Sequence, residues 1–157
     1  MVDELNSALP KDYKIELLEP NDESATLRVW FMPYDKLPEF AKEKKLVYRK
    51  PNLGFFNVRW NGRFELVEAN VLIGEDKLRG DKMQHFLLEE ITQSMGFGGD
   101  SARFSESVFF ENQRQRSFGS AVKLSELDRK LIDFHYNHVT PGSHPIELGI
   151  LMAKHWE

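Results

Sequence analysis

The sequence predicts one α/β domain of the α+β kind, a twisted mixed sheet packed on a long helix that walls a cleft, with further helices towards the C-terminus. Three observations predict it. Lys82 to Met95 holds no glycine or proline, and Met83, Leu87, Ile91 and Met95 recur at helical spacing with Leu88 beside them. Upstream of that helix, short β-type stretches are separated by turn residues. Downstream, Ser125-Glu-Leu-Asp128 has the form of a capping box that opens another helix.

Taken in order, Tyr13 to Leu18 and Ala25 to Phe31 read as strands. The second alternates, with Leu27, Val29 and Phe31 on one side and Thr26, Arg28 and Trp30 on the other. Glu19 to Ser24 between them is turn material. Leu37 to Lys45 reads as a short helix with Pro38 in its first turn, where the missing N–H does no harm, and with its lysines and glutamates facing water. Gly54 to Trp60 and Arg63 to Ile73 flank Asn61-Gly62, the strongest two-residue hairpin signal. The long helix follows and stops at Gly96. Ser101 to Ser120 has no clear period and reads as an irregular loop with a short strand. A helix then runs from Ser125 to about Tyr136, and Val139 to Pro145 breaks the chain. Ile146 to Trp156 is a final helix with Leu148, Leu151 and Met152 turned to the core, weakened a little by Gly149.

Length and composition narrow the function. The 157 residues fit a single domain that buries about two thirds of its unfolded surface. With 21 basic and 25 acidic residues the net charge is −4, and the basic residues are scattered, so no nucleic-acid track is present. The absence of cysteine removes disulfides and thiolate metal sites. No apolar run is long enough to cross a bilayer, and Met1 to Ser7 lacks the charged start and apolar core of an export signal. If the protein is exported, its leader lies outside this sequence.

The chemistry concentrates on the long helix. At about 100° per residue, Glu89, Glu90 and Gln93 share a second face with Phe86. Glu90 borders the apolar arc, where a carboxylate costs energy unless something satisfies it. Against the zinc-peptidase pattern H-E-x-x-H-x-x-G-x-x-H, the stretch Glu89 to Asp100 reads E-E-I-T-Q-S-M-G-F-G-G-D. Glu89 takes the place of the first ligand histidine, Glu90 that of the catalytic glutamate and Gln93 that of the second histidine. Gly96 matches the turn glycine, and Asp100 lies one residue past the third ligand.

With these residues, Ala69 to Ile73 before the helix, Phe104 to Glu111 after it and Leu124 to Asn137 at its end, the chain resembles a bacterial family of domains of unknown function. That family has a degenerate zincin-like (metzincin-like) core and is often exported. The resemblance implies a zincin-like fold and an extracytoplasmic, periplasmic or secreted setting. It also implies a peptide or protein laid along an edge strand at Ala69, Val71 and Ile73, above a floor of Phe86, Glu89, Glu90 and Gln93. Glu89, Gln93 and Asp100 mark the positions of the lost metal ligands.

Two readings follow. In the first, the scaffold has no catalytic zinc, needs no cofactor and acts as a binding module, a pseudoenzyme. In the second, it is a divergent metallopeptidase with Glu90 as general base and zinc or a hard divalent cation on Glu89, Gln93 and Asp100. The donor set favours the first: a glutamine amide is a poor zinc ligand, and oxygens alone suit calcium, which wants about six to eight of them. Without a metal, the clustered carboxylates call for a counter-charge, for which Arg103, Arg114 and Arg116 are the candidates.

His85 stands one turn before Glu89, but the row His85, Glu89, Gln93 drifts around the helix and is expected to turn His85 out of the cleft. His135 and His138 fall at a helix end that favours a cation; for His144 and His155 the sequence does not place a carboxylate partner. No nucleophile elbow accompanies any histidine, which disfavours a serine hydrolase. Glu89 and Glu90 diverge too far to flank one glycosidic bond.

Overall fold

A computed structural model of the chain describes residues 1–112 and 117–156. In chain order its elements are α1 (Val2–Asn6), β1 (Leu27–Met32), a 3-10 turn (Tyr34–Lys36), α2 (Leu37–Glu43), β2 (Gly54–Trp60) and β3 (Leu66–Gly74). After these come α3 (Gly80–Ser94), β4 (Glu111–Asn112), β5 (Ser117–Phe118), α4 (Glu126–His138) and α5 (Pro145–His155). The class is mixed α+β, as the alternation and the helical spacing require.

The main sheet has the order β1-β3-β2. β1 runs parallel to β3, with Val29 opposite Val71, and β2 runs antiparallel to it, with Phe56 opposite Val71. β3 is therefore central, and its apolar residues fill both faces. Val71 and Ile73 meet Phe86 of α3, with Met83, Leu87 and Ile91 packed around them, and Leu72 meets Leu37 and Ala41 of α2 on the other side. The parallel β1–β3 pair and its covered faces explain why β3 reads as a nearly continuous hydrophobic run.

This arrangement corrects one expectation directly. Ala69, Val71 and Ile73 lie on the central strand and are buried, not on an edge. The edge beside α3 is β2, because the chain returns through the hairpin to insert β3 between its two predecessors. The hairpin also differs from a two-residue turn: Asn61 N–H donates to the Glu65 carbonyl, and Phe64 sits at φ 62°. The loop spans 61–65, so β3 starts at Leu66 rather than Arg63.

Among the described residues Tyr13 to Leu18 pairs with no strand. Asn6 explains this: its side chain accepts from Ile15 N–H at 2.7 Å and donates to Ile15 C=O at 2.9 Å. A side-chain amide thus takes the two backbone groups that a sheet ladder would use. The segment lines a cavity of about 700 Å³ that also touches Leu27, Ala69, Met95 and Tyr136.

A second core lies beyond α3, where Leu88 and Met95 meet Leu5, Val108, Phe109, Leu124 and Ile132. Its hinge is Asp128. The capping box is present, with Ser125 Oγ accepting from Asp128 N–H. The Asp128 carboxylate accepts from Ser125 N–H, Val108 N–H and Ser107 Oγ, at 2.9, 3.0 and 2.6 Å. One buried side chain thus closes α4 and pins the loop before β4. By contrast α5 buries no residue; Leu148 and Leu151 are half-buried and Met152 is exposed.

The cap and the pin are separable by mutation. Ser125→Ala is expected to cost about 1 kcal/mol, whereas Asp128→Ala leaves buried donors at 107 and 108 unpaired and is expected to cost roughly 3 kcal/mol. Urea denaturation of the two variants checks the order, and equal losses would disprove the role given to Asp128.

Candidate functional site

Residues 85, 86, 89, 90 and 93 share one face of α3 because successive helical residues turn by about 100°. That face is covered by β2, by the segment from Phe118 to Ala121, and by the loop after Gly96.

Glu90 is 7% exposed and faces β2. A Cβ built on Gly54 would lie 2.8 Å from Glu90 Oε1 and 3.1 Å from Phe86 Cδ1, so only glycine lets the strand pass this close. Burial, followed by the negative charge of Asp100, pushes the Glu90 carboxyl up to about 8; the Phe56 backbone N–H directed at it acts the other way. Glu89, one residue back, turns towards the segment after β5. Burial, then Glu90, Asp100 and Glu111, push its carboxyl up to about 9.

His85 is 1% exposed. Its Nδ1 lies 3.0 Å from the Ala121 carbonyl, and burial lowers its pKa, so the neutral ring donates Nδ1–H to that oxygen. Nε2 then carries a lone pair. It is buried, has no hydrogen-bond partner among the described residues and stands 3.5 Å from Glu89 Oε2. Gly119 makes room for the ring, since a Cβ there would sit 2.6 Å from His85 Cε1. The outward turn expected of His85 is thereby corrected. Residues four apart on a helix lie one above the other, and the covering segment closes over both His85 and Glu89.

Gln93 is also buried, and its Nε2 donates to Asp100 Oδ1 at 2.6 Å. Asp100 thus bonds to Gln93 and its charge acts on both Glu89 and Glu90, while Phe86 packs towards Phe118 at 6.2 Å between ring centres. Ala69, Val71 and Ile73 do not join this face as an edge, being under the sheet's centre. Arg103 is not the counter-charge, because its guanidinium lies over the Phe104 ring, 5.5 Å from its centre. Arg114 and Arg116 lie outside the described residues.

The other histidines lie apart. His135 packs on Phe97, and burial lowers its pKa, overriding the helix-end preference for a cation. His138 stacks on His155 at 4.1 Å, and His144 caps α5 through Nδ1.

A catalytic zinc takes three protein ligands and an open position. Among the described residues no three histidine, aspartate or glutamate side chains stand where they could hold a metal ion together. Gln93 and Asp100 bond to each other, and Glu89 turns to His85 while Glu90 turns to β2. The residues present do not fit a catalytic zinc.

Residues 7–148 match the family described as a protein of unknown function, DUF2927. The chain belongs to the DUF2927 family. The match takes in every strand, α2, α3 and α4, and it ends within α5. No curated protein and no solved structure matches the chain.

The DUF2927 domain carries the cost of this face in its pH dependence. Glu89 and Glu90 lose their protons near pH 9 and pH 8 when folded, against an ordinary 4.5. Between those limits the folded form binds more protons than the unfolded chain, so stability falls as pH rises through the window and levels off above it. Glu89→Gln and Glu90→Gln keep the shape without an ionisable proton. Each is expected to flatten the fall and to raise stability near pH 8 by roughly 1–3 kcal/mol. Chemical denaturation from about pH 5 to about pH 9 reads this directly, and a flat wild-type profile would exclude it.

Proposed function

We propose that this domain is a peptide- or protein-binding module on a zincin-like scaffold without a catalytic zinc, taking an extended segment along the free edge of β2 beside α3. The observation that carries the reading is the direction of the β2 backbone. Gly74 N–H donates to the Leu53 carbonyl, directly opposite it in the ladder. In an antiparallel pair bonding alternates, so Phe55, Asn57 and Arg59 bond to β3 while Gly54, Phe56 and Val58 point their N–H and C=O groups away from it, the Phe56 N–H towards the Glu90 carboxyl. Among the described residues no further strand pairs with that edge.

An unpaired edge of this kind accepts an added strand through main-chain bonds, while neighbouring pockets read alternate side chains. Here the neighbouring wall is the face of α3 that carries Phe86, Glu89 and Glu90. In the scaffold this chain resembles, a peptide lies beside the corresponding helix, which supports the same placement, moved from β3 to β2. The reading extends to an extracytoplasmic setting. Among the described residues no helix is long and apolar enough to cross a membrane.

A random-peptide display library panned on the full chain tests this. Enriched peptides are expected to protect the Val58 amide from hydrogen exchange. Val58→Pro removes an outward N–H without touching the β3 ladder and is expected to weaken binding at least about tenfold. Failure to enrich any sequence, or protection confined to another surface, would end the proposal. Stoichiometric metal in the purified protein, with peptide hydrolysis abolished by Glu90→Gln, would favour the peptidase reading instead.

A further inference from the structure

We propose that α5 is the contact surface between two copies of this chain, which pair antiparallel through these helices about a two-fold axis beside Ile150. The surface takes no part in the site on α3 and β2.

The case begins with a helix that is apolar on two sides. Successive residues of α5 turn by about 100°. Leu148 and Leu151 therefore share one side, and Ile146, Gly149, Ile150 and Ala153 share the opposite one. The first side rests on the body of the domain. Both leucines are half-buried, and Trp156 and His155 pack on Phe134 and His138 of α4, at 5.7 and 4.1 Å between ring centres. The second side is bare. Ile146 is 69% and Ile150 63% exposed, and a Cβ at Gly149 would meet nothing within 4 Å. Two isoleucines one turn apart, with only glycine and alanine beside them, form a continuous apolar strip. A helix that is apolar on both sides calls for cover on both.

Charge selects the cover. Glu147 and Lys154 are two turns apart, so they stand on the same border of the strip. Among the described residues neither forms an ion pair. Glu147 accepts the His144 N–H at 2.9 Å in the cap of α5, which leaves its charge in place. A two-fold axis perpendicular to both helices reverses their direction and keeps like borders on one side. Glu147 of each copy then meets Lys154 of the other, Ile150 meets its own counterpart, and Ile146 lies beside Ala153. A parallel pair would instead set glutamate against glutamate and lysine against lysine. The strip is thus complementary to itself in one direction only, as an isologous contact requires. One helix face per copy is a small interface, so the pairing is weak, with a Kd on the order of 10–100 μM.

Sedimentation velocity of the full chain from about 10 μM to about 1 mM tests the pairing, and a reversible monomer–dimer equilibrium is expected. Glu147→Lys and Lys154→Glu each set two like-charge contacts across the axis, and each alone is expected to weaken the dimer at least about fivefold. Mixed in equal amounts, the two variants are expected to return to within about twofold of the wild-type affinity, since each supplies the charge the other lacks. A fault in the folding of α5 is not cured by mixing. Oxidation reads the direction. The chain has no cysteine, so Ile150→Cys is expected to give a disulfide-linked dimer. Ile146→Cys is expected to give none, because its copies lie about 13 Å apart along the helix axes.

A chain that stays monomeric at about 1 mM would overturn the proposal. Flotation with phosphatidylcholine vesicles by a chain that is monomeric in solution would do the same, and would give the strip to a lipid surface. Dimers indifferent to both charge variants would place the contact elsewhere, and cross-linking of Ile146→Cys as readily as Ile150→Cys would make the pair parallel; either result rejects the arrangement.

Discussion

The structure depends on one constraint: α3 is packed on nearly every side. Phe86, with Met83, Leu87 and Ile91, serves the core under the sheet, and Leu88 and Met95 serve the core under α4. A helix shared between two cores has no fully solvated face, so its polar residues must be satisfied where they lie. Thr92 and Ser94 return their hydroxyls to helix carbonyls at Leu88 and Ile91. Gln93 reaches out to Asp100. Glu90 takes the Phe56 N–H and Glu89 stands against His85, and burial holds both carboxyls protonated at neutral pH.

Such a face is an unusual feature to maintain in a stable domain. Replacing the buried acids by their amides should make the fold sturdier over the neutral range, so stability alone does not account for them. The same geometry explains why β2 carries glycine at position 54, where the strand and the acid come closest.

The sheet has a matching division of labour. β3 is closed off by neighbours on both sides and helices on both faces, and Asn70 within it is satisfied by Trp30 Nε1. β2 keeps half of its backbone groups turned away from the sheet. Proteins commonly protect such edges with charge or cover; here the exposed Arg59 and Trp60 lie at its far end, and Gly54 and Phe56 border α3. The C-terminal α5 contributes little to this arrangement, being attached through Phe134–Trp156 and His138–His155 ring contacts.

Much of this was legible in local chemistry. Helical spacing from Met83 to Met95, the Ser125–Asp128 box, Pro38 in a first turn and the strands on either side of Asn61 each declare themselves within a few residues, because propensity and capping act over one or two turns of chain. Glu89, Glu90 and Gln93 could be placed on one face for the same reason. His85 had a local signal too, its spacing of four from Glu89, but what covers the pair lies at Gly119 and Ala121, which no periodicity connects to the helix. Whether β2 or β3 forms the edge was likewise beyond local reading, since both stretches are equally strand-like. The amino-acid sequence by itself determined most of the elements, the mixed α+β class and the acidic face of the helix. Only the tertiary structure decided strand order, the burial of that face and the bare nitrogen beside it, because these arise from contacts between residues tens of positions apart.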